Sequence, residues 1–103
     1  MRKIVNDALE ESLRQYEGRK AFVHMEVTPG GFVRNAEVSV LRTYVAGSGT
    51  FRVALRLAND GWIRVEGLTH MALDERGSLL LAGHDEKGRL TSALQLGFGP
   101  FPA

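Results

Sequence analysis

Residues 51–66 read Phe51-Arg52-Val53-Ala54-Leu55-Arg56-Leu57-Ala58-Asn59-Asp60-Gly61-Trp62-Ile63-Arg64-Val65-Glu66. Phe51, Val53, Leu55 and Leu57 alternate with Arg52, Ala54 and Arg56, and after Asn59-Asp60-Gly61 the alternation resumes with Ile63 and Val65 against Arg64 and Glu66. A period of two means that successive side chains go to opposite faces of a half-buried strand. The stretch therefore predicts a β-hairpin. A three-residue loop with Gly61 left-handed sets Leu57 opposite Ile63 and Leu55 opposite Val65. A two-residue Asp60-Gly61 loop would set Leu57 opposite Arg64. A one-residue slip sends apolar side chains to the wrong face, so the three-residue loop is favoured. The same register gathers Arg52, Arg56, Arg64 and Glu66 on the outer face, with Arg56 directly opposite Arg64.

Working outward, period two holds over most of the chain after residue 20. Residues 21–27 alternate Ala21, Val23, Met25 and Val27 against Phe22, His24 and Glu26. Thr28-Pro29-Gly30-Gly31 is a turn. Residues 32–45 carry Phe32, Ala36, Val38, Val40 and Tyr44 at even positions, and a strand that long is expected to bend. Gly47-Ser48-Gly49 turns the chain into the hairpin. Beyond it, Asp74-Glu75-Arg76-Gly77 and Asp85-Glu86-Lys87-Gly88 are matching tight turns joining strands near 69–73, 78–83 and 89–96. Two prolines exclude the tail, Gly97 to Pro102, from a strand interior. Before residue 20 the period is helical: Ile4, Val5, Ala8, Leu9, Leu13 and Tyr16 form one stripe, and Gly18 stands where a left-handed residue ends a helix. The reading is a single mainly β domain over residues 1–103: a helix at about 4–17, then strands at 21–27, 32–45, 51–58, 62–66, 69–73, 78–83 and 89–96. They form an antiparallel meander closing into a small barrel or sandwich with the helix packed against it.

Composition narrows the function classes. The chain has 103 residues, a net charge of +1 and no cysteine. A near-neutral balance gives no electrostatic footprint for nucleic acid or for a membrane surface. Without cysteine there is no disulfide, thiolate nucleophile or Cys-based zinc site. Polar residues arrive at once after Met1, leaving no signal-peptide stretch, and no run has the length of a membrane span. The expected location is the cytoplasm. The glycines make no phosphate loop, because Gly47-Ser48-Gly49 joins two strands and no Gly-Lys-Ser/Thr follows.

Two blocks, Gly61-Trp62-Ile63-Arg64-Val65-Glu66-Gly67-Leu68-Thr69 and Leu79-Leu80-Leu81-Ala82-Gly83-His84-Asp85 continuing through Gly88-Arg89-Leu90 to Ala93-Leu94-Gln95-Leu96, resemble the YojF family of bacterial proteins of unknown function. Val23-His24-Met25-Glu26 and Phe32-Val33-Arg34-Asn35-Ala36 match its first half, so the similarity is colinear over most of the chain. Here Thr28 to Gly31 joins those two blocks more directly than in the family. The resemblance implies a compact β-barrel-like fold and a genomic association with a deacetylase of the kind used in bacillithiol synthesis. It carries no catalytic residues.

Three constellations compete for function. The arginine face with Trp62 comes first. Like charges opposite one another destabilise a strand pair, so Arg56 and Arg64 need compensation from Glu66, from a bound anion or from an acidic partner. Trp62 beside them either covers a core edge or anchors an interface. The second is His24 and Glu26, two apart on one strand face, which would need His70 or His84 to complete a metal site and otherwise form an ordinary strand face. The third is His84-Asp85, a base with its orienting carboxylate, or a capping residue beside a turn aspartate. No nucleophile is tied to that pair by sequence. The expectation is a non-catalytic β domain, without cofactor, that docks a partner protein and self-associates as a homodimer. Identification of that partner as a deacetylase rests on the resemblance alone. The alternatives are a barrel that binds an anionic small molecule and a small metal-dependent enzyme using His24, Glu26 and a further histidine.

Overall fold

The computed structural model describes residues 1–102. Its elements are β1 (Arg2–Lys3), α1 (Asn6–Arg14), β2 (Arg19–Val27), β3 (Gly31–Ser48), β4 (Thr50–Leu57), β5 (Trp62–Leu68), β6 (His70–Leu73), β7 (Leu79–His84) and β8 (Leu90–Gly97). The helix is shorter than the apolar stripe suggested. Val5 is its N-cap, and Ile4 lies outside it, donating its N–H to the Thr69 carbonyl and burying its side chain. Ile4 thus looks helical by spacing but serves the sheet, beside the short β1 that pairs with β6. Gly18 adopts φ +78°, and its N–H reaches the Val40 carbonyl, which turns the helix end onto β3.

The eight strands form one antiparallel sheet in the order β1-β6-β7-β8-β2-β3-β4-β5. This is not a single meander. β2 to β5 are sequential neighbours, β6 to β8 form a second run, and β8 returns to pair with β2. Nor does the hydrogen bonding close into a barrel, because β1 and β5 end the order. The crossover between the runs is brief, since Thr69 alone separates β5 from β6. Gly67, at φ +75°, swings the chain off β4, and the Thr69 N–H then reaches the Ala82 carbonyl of β7. The turn needs a close backbone approach. A Cβ on Gly83 would stand 2.0 Å from the Gly67 carbonyl oxygen. Ser92 fastens the same spot by donating its hydroxyl to the Glu66 carbonyl at 3.0 Å.

The inner face carries the core: Val23, Val40, Val53, Leu55, Val65, Leu68, Met71, Leu79, Leu81, Leu94 and Leu96, closed by Leu9, Leu13 and Tyr16 from the helix and its last turn. Burying each leucine contributes about 1.5–3 kcal/mol. Tyr16 is wholly buried. Its hydroxyl lies against the Gly77 and Leu96 carbonyls, and its ring stacks on Phe98 of the tail at 4.6 Å. Burial pushes the Tyr16 phenol up to about 12, with the Asp74 charge adding to the rise. The tail is also clasped at its far end. Asn35 donates to the Phe101 carbonyl at 2.9 Å and accepts the Phe101 N–H at 2.7 Å.

Two expectations about faces and register change. In β3 the even positions do not share one face. The pairing slips between Val40 and Arg42, so Val40 points into the core while Arg42, Tyr44 and Ala46 point out. A second irregularity falls at Asn35, whose φ is +54°. An extra residue in a strand reverses the inside-outside parity beyond it, and the sequence pattern cannot show where that happens. In the 51–66 hairpin the loop has three residues, but they are Ala58-Asn59-Asp60. Asp60 takes the left-handed conformation at φ +64°, and Leu57 donates its N–H to the Gly61 carbonyl. The Asn59 side chain accepts the Gly61 N–H at 3.0 Å and fixes this alternative. Leu55 consequently pairs with Ile63, Val53 with Val65, and Arg56 with Trp62. The shift is two residues, so every side chain keeps its face and Leu55, Leu57 and Val65 remain buried.

Candidate functional site: the arginine and aromatic face

The outer faces of β3, β4 and β5 meet as one surface. Pairing sets Tyr44 opposite Ala54 and Ala54 opposite Arg64, with Ala46 opposite Arg52 in the adjacent row. Ala54 and Ala46 are small, so the larger side chains around them enclose an open depression of about 460 Å³ lined by Tyr44, Ala46, Arg52, Ala54, Trp62 and Arg64. Tyr44 and Trp62 lean together across β4, their ring centroids 5.7 Å apart, yet they remain 47% and 56% exposed. Arg56 adds its guanidinium 6.0 Å from the Trp62 ring.

The arginines are unequal. Arg64 lies 3.5 Å from Glu66, and Arg56 lies 3.4 Å from Asp60, both pairs being solvent-exposed. Such pairs are weak and readily exchanged. Among the described residues neither Arg42 nor Arg52 has a carboxylate partner. The expected juxtaposition of Arg56 with Arg64 does not occur, because the loop shift gives Arg56 the Trp62 ring instead. A like-charge pair exists one strand over, where Arg42 stands directly opposite Arg56. The sequence reading missed Arg42 and Tyr44 as members of this face, having assigned Tyr44 to the apolar side of β3. Their signal lay in the β3–β4 hairpin, whose tight Gly49 turn puts Tyr44 opposite Ala54.

The histidines sort into two places. His24 accepts from Arg34 at Nδ1, 3.0 Å away, and its Nε2 lies 3.8 Å from Glu26. With Nδ1 occupied by the Arg34 donor and Nε2 beyond hydrogen-bond reach of Glu26, His24 sits between two charged side chains as part of an ordinary strand face. His70 and His84 come together on β6 and β7, ring centroids 5.3 Å apart. Among the described residues no three histidine, aspartate, glutamate or cysteine side chains gather as a metal-binding group, so the set His24, Glu26, His70 and His84 is not assembled. Asp85 belongs to its turn. It accepts the Lys87 and Arg89 N–H groups at 2.9 Å each and the Arg89 side chain at 2.8 Å. The Arg89 N–H, ahead of the other contacts, holds its carboxyl below the usual range. Asp74 receives two N–H groups of the other turn in the same way. No described helix is long and apolar enough to cross a membrane.

Comparison with known proteins agrees with this architecture. Residues 27–101 match a family described as "Protein of unknown function (DUF1806)". The uncharacterized protein YojF of Bacillus subtilis is 34% identical over an alignment of 115 residues that spans 98% of each chain. The crystal structure of Bacillus subtilis YojF superposes with a TM-score of 0.91 at 35% identity, covering 99% of this chain and 97% of that one. The chain therefore belongs to the DUF1806 family of YojF-like proteins of unknown function.

Proposed function

We propose that this protein is a non-catalytic binding domain whose outer face on β3, β4 and β5 docks an acidic surface of a partner protein. One observation carries the reading: Tyr44 and Trp62 stand exposed against each other, ringed by Arg42, Arg52, Arg56 and Arg64. Aromatic and arginine side chains dominate interface hot spots, and arginine's planar fork suits carboxylates. The shallow, open shape favours a protein surface over an enclosed metabolite. The family resemblance supports a deacetylase of the kind used in bacillithiol synthesis as the partner; the small size of the domain favours self-association as a homodimer, and the absence of cysteine fits the cytoplasm.

The test is binding of the co-expressed deacetylase by wild type, Trp62→Ala and Arg52→Gln/Arg64→Gln. Each variant should weaken binding by about tenfold or more, consistent with hot-spot losses above 1.4 kcal/mol. Affinity should fall as salt rises. Unchanged affinity in variants that keep the native circular dichroism would refute the reading. The depression favours a second reading, an anionic small molecule seated between Trp62 and Arg52. A thermal-shift screen of carboxylates and phosphates addresses it, since a ligand bound to the native state raises its stability.

A further inference from the structure

A second depression, away from the arginine face, is built where β6 and β7 run beside β1. It holds about 520 Å³ and is lined by residues that include Lys3, Thr69, His70, His84, Asp85 and Glu86. His70 pairs with Ala82 across the strands, and His84 lies two residues beyond Ala82, which brings both imidazoles to one face. Their rings are nearly perpendicular, at 84°.

The surroundings accommodate the tautomer of His70 that a metal ligand needs. Thr69 Oγ1 lies 3.3 Å from the Ala82 carbonyl and 2.8 Å from His70 Nδ1. A hydroxyl has a single proton. When it is given to the carbonyl, which can only accept, the oxygen must accept from His70 Nδ1–H. That leaves the His70 Nε2 lone pair free and fixes the ring by a hydrogen bond at its other nitrogen, the arrangement seen behind metal-bound histidines. The separation fits as well. A tetrahedral ion with metal–nitrogen bonds of about 2.0–2.1 Å holds two imidazole centroids about 5.2 Å apart, against 5.3 Å between His70 and His84.

We propose that His70 and His84 form a two-histidine site for a divalent transition-metal ion of the zinc, nickel or copper class, with Thr69 as the positioning residue. Neutral imidazole suits these ions, whereas magnesium and calcium prefer all-oxygen sites. No third protein ligand joins the pair among the described residues. Two coordination positions are accordingly left for water or for an oxygen or nitrogen donor of a bound molecule. Lys3 opposes a cation here. Asp85 and Glu86 at the rim offset it, Asp85 while remaining engaged with Arg89.

The experiment uses the full-length, untagged protein titrated with zinc chloride and nickel chloride, followed by calorimetry and by imidazole nitrogen NMR. Saturable binding of one ion per chain is expected, with the Nε2 resonance of His70 shifting and that of His24 unmoved. His84→Gln and His70→Gln should each weaken binding at least about tenfold, His24→Gln should leave it unchanged, and Thr69→Val should weaken it about tenfold or more. Absence of saturable binding by the folded wild type would overturn the site. So would binding that survives both His70→Gln and His84→Gln. The wild-type NMR arm decides the matter even where a variant fails to fold.

Discussion

Tyr16→Phe removes one oxygen from the largest fully buried side chain among the described residues and should be felt in two separable ways. The phenol lies beside the carbonyls of Gly77 and Leu96, the latter at 3.0 Å, and has no exposed surface. Phenylalanine fills nearly the same volume, so packing on Phe98 persists and the loss is that of the hydrogen bonding. Leaving a buried carbonyl without its donor costs about 1–3 kcal/mol, and this is the expected destabilisation at pH 8. The second effect is a pH dependence. Burial holds the neutral phenol, raising its value from 10.0 to about 12. Between those values the unfolded chain releases this proton and the folded chain keeps it. The stabilisation is thus complete below pH 10 and is lost as pH rises toward 12. Two units correspond to roughly 2–3 kcal/mol. Urea unfolding followed by far-ultraviolet circular dichroism at pH 8, 10 and 11.5 reads both effects, since every other titrating group is shared by the two proteins. The gap between wild type and Tyr16→Phe should narrow across that series. A gap below about 0.5 kcal/mol at pH 8, or one that stays constant with pH, would refute the reasoning, since removal of the donor should exceed ordinary surface noise.

Other substitutions probe the remaining devices. Gly83→Ala drives a methyl group to 2.0 Å from the Gly67 carbonyl oxygen and 2.6 Å from Ser92 Oγ. Chemical denaturation should show a loss of about 2 kcal/mol or more, the upper range of overpacking. Arg42→Glu replaces a like-charge cross-strand pair with Arg56 by an attractive one. Unfolding should register a gain of about 0.2–1 kcal/mol, while calorimetry with the proposed acidic partner should register weaker docking. Asp85→Ala removes the acceptor of two turn N–H groups. Its melting temperature should fall below that of wild type at neutral pH. The difference should close as acid titrates the carboxylate, whose lowered value makes its contribution present above the ordinary aspartate range and lost below its own.

The parts of this fold that can be read from the sequence are those governed by alternation alone. Leu55, Leu57 and Val65 face inward and Arg52, Arg56 and Arg64 face outward even though the hairpin register is displaced by two residues, because an even displacement preserves parity. The Asp74 and Asp85 turns are legible for a similar reason, the aspartate and glycine positions being fixed by local hydrogen bonds and by Gly77 and Gly88 at positive φ. What escapes is set at longer range. The bulges at Asn35 and beside Leu41 reverse the faces of β3 and decide that Tyr44 joins the arginines. Asp60, rather than Gly61, takes the left-handed position because Asn59 reaches the Gly61 N–H. The meeting of His70 with His84 depends on the pairing of β6 with β7 and on Thr69, none of which is encoded in spacing along the chain. The return of β8 to β2 follows from the swing at Gly67, a tertiary contact with Gly83.

The Asn35–Phe101 clasp bears on how this molecule can be handled at a surface. It pins the end of the described chain to the early part of β3, some nine residues before Tyr44, or roughly 30 Å along an extended strand. The described chain therefore ends beside Arg34, at the Asn35 end of β3 and not at the Tyr44 end that borders Trp62. Attachment at that end keeps the tether apart along β3 from Tyr44 and its aromatic neighbour, whereas random attachment through lysines leaves the point of tethering uncontrolled.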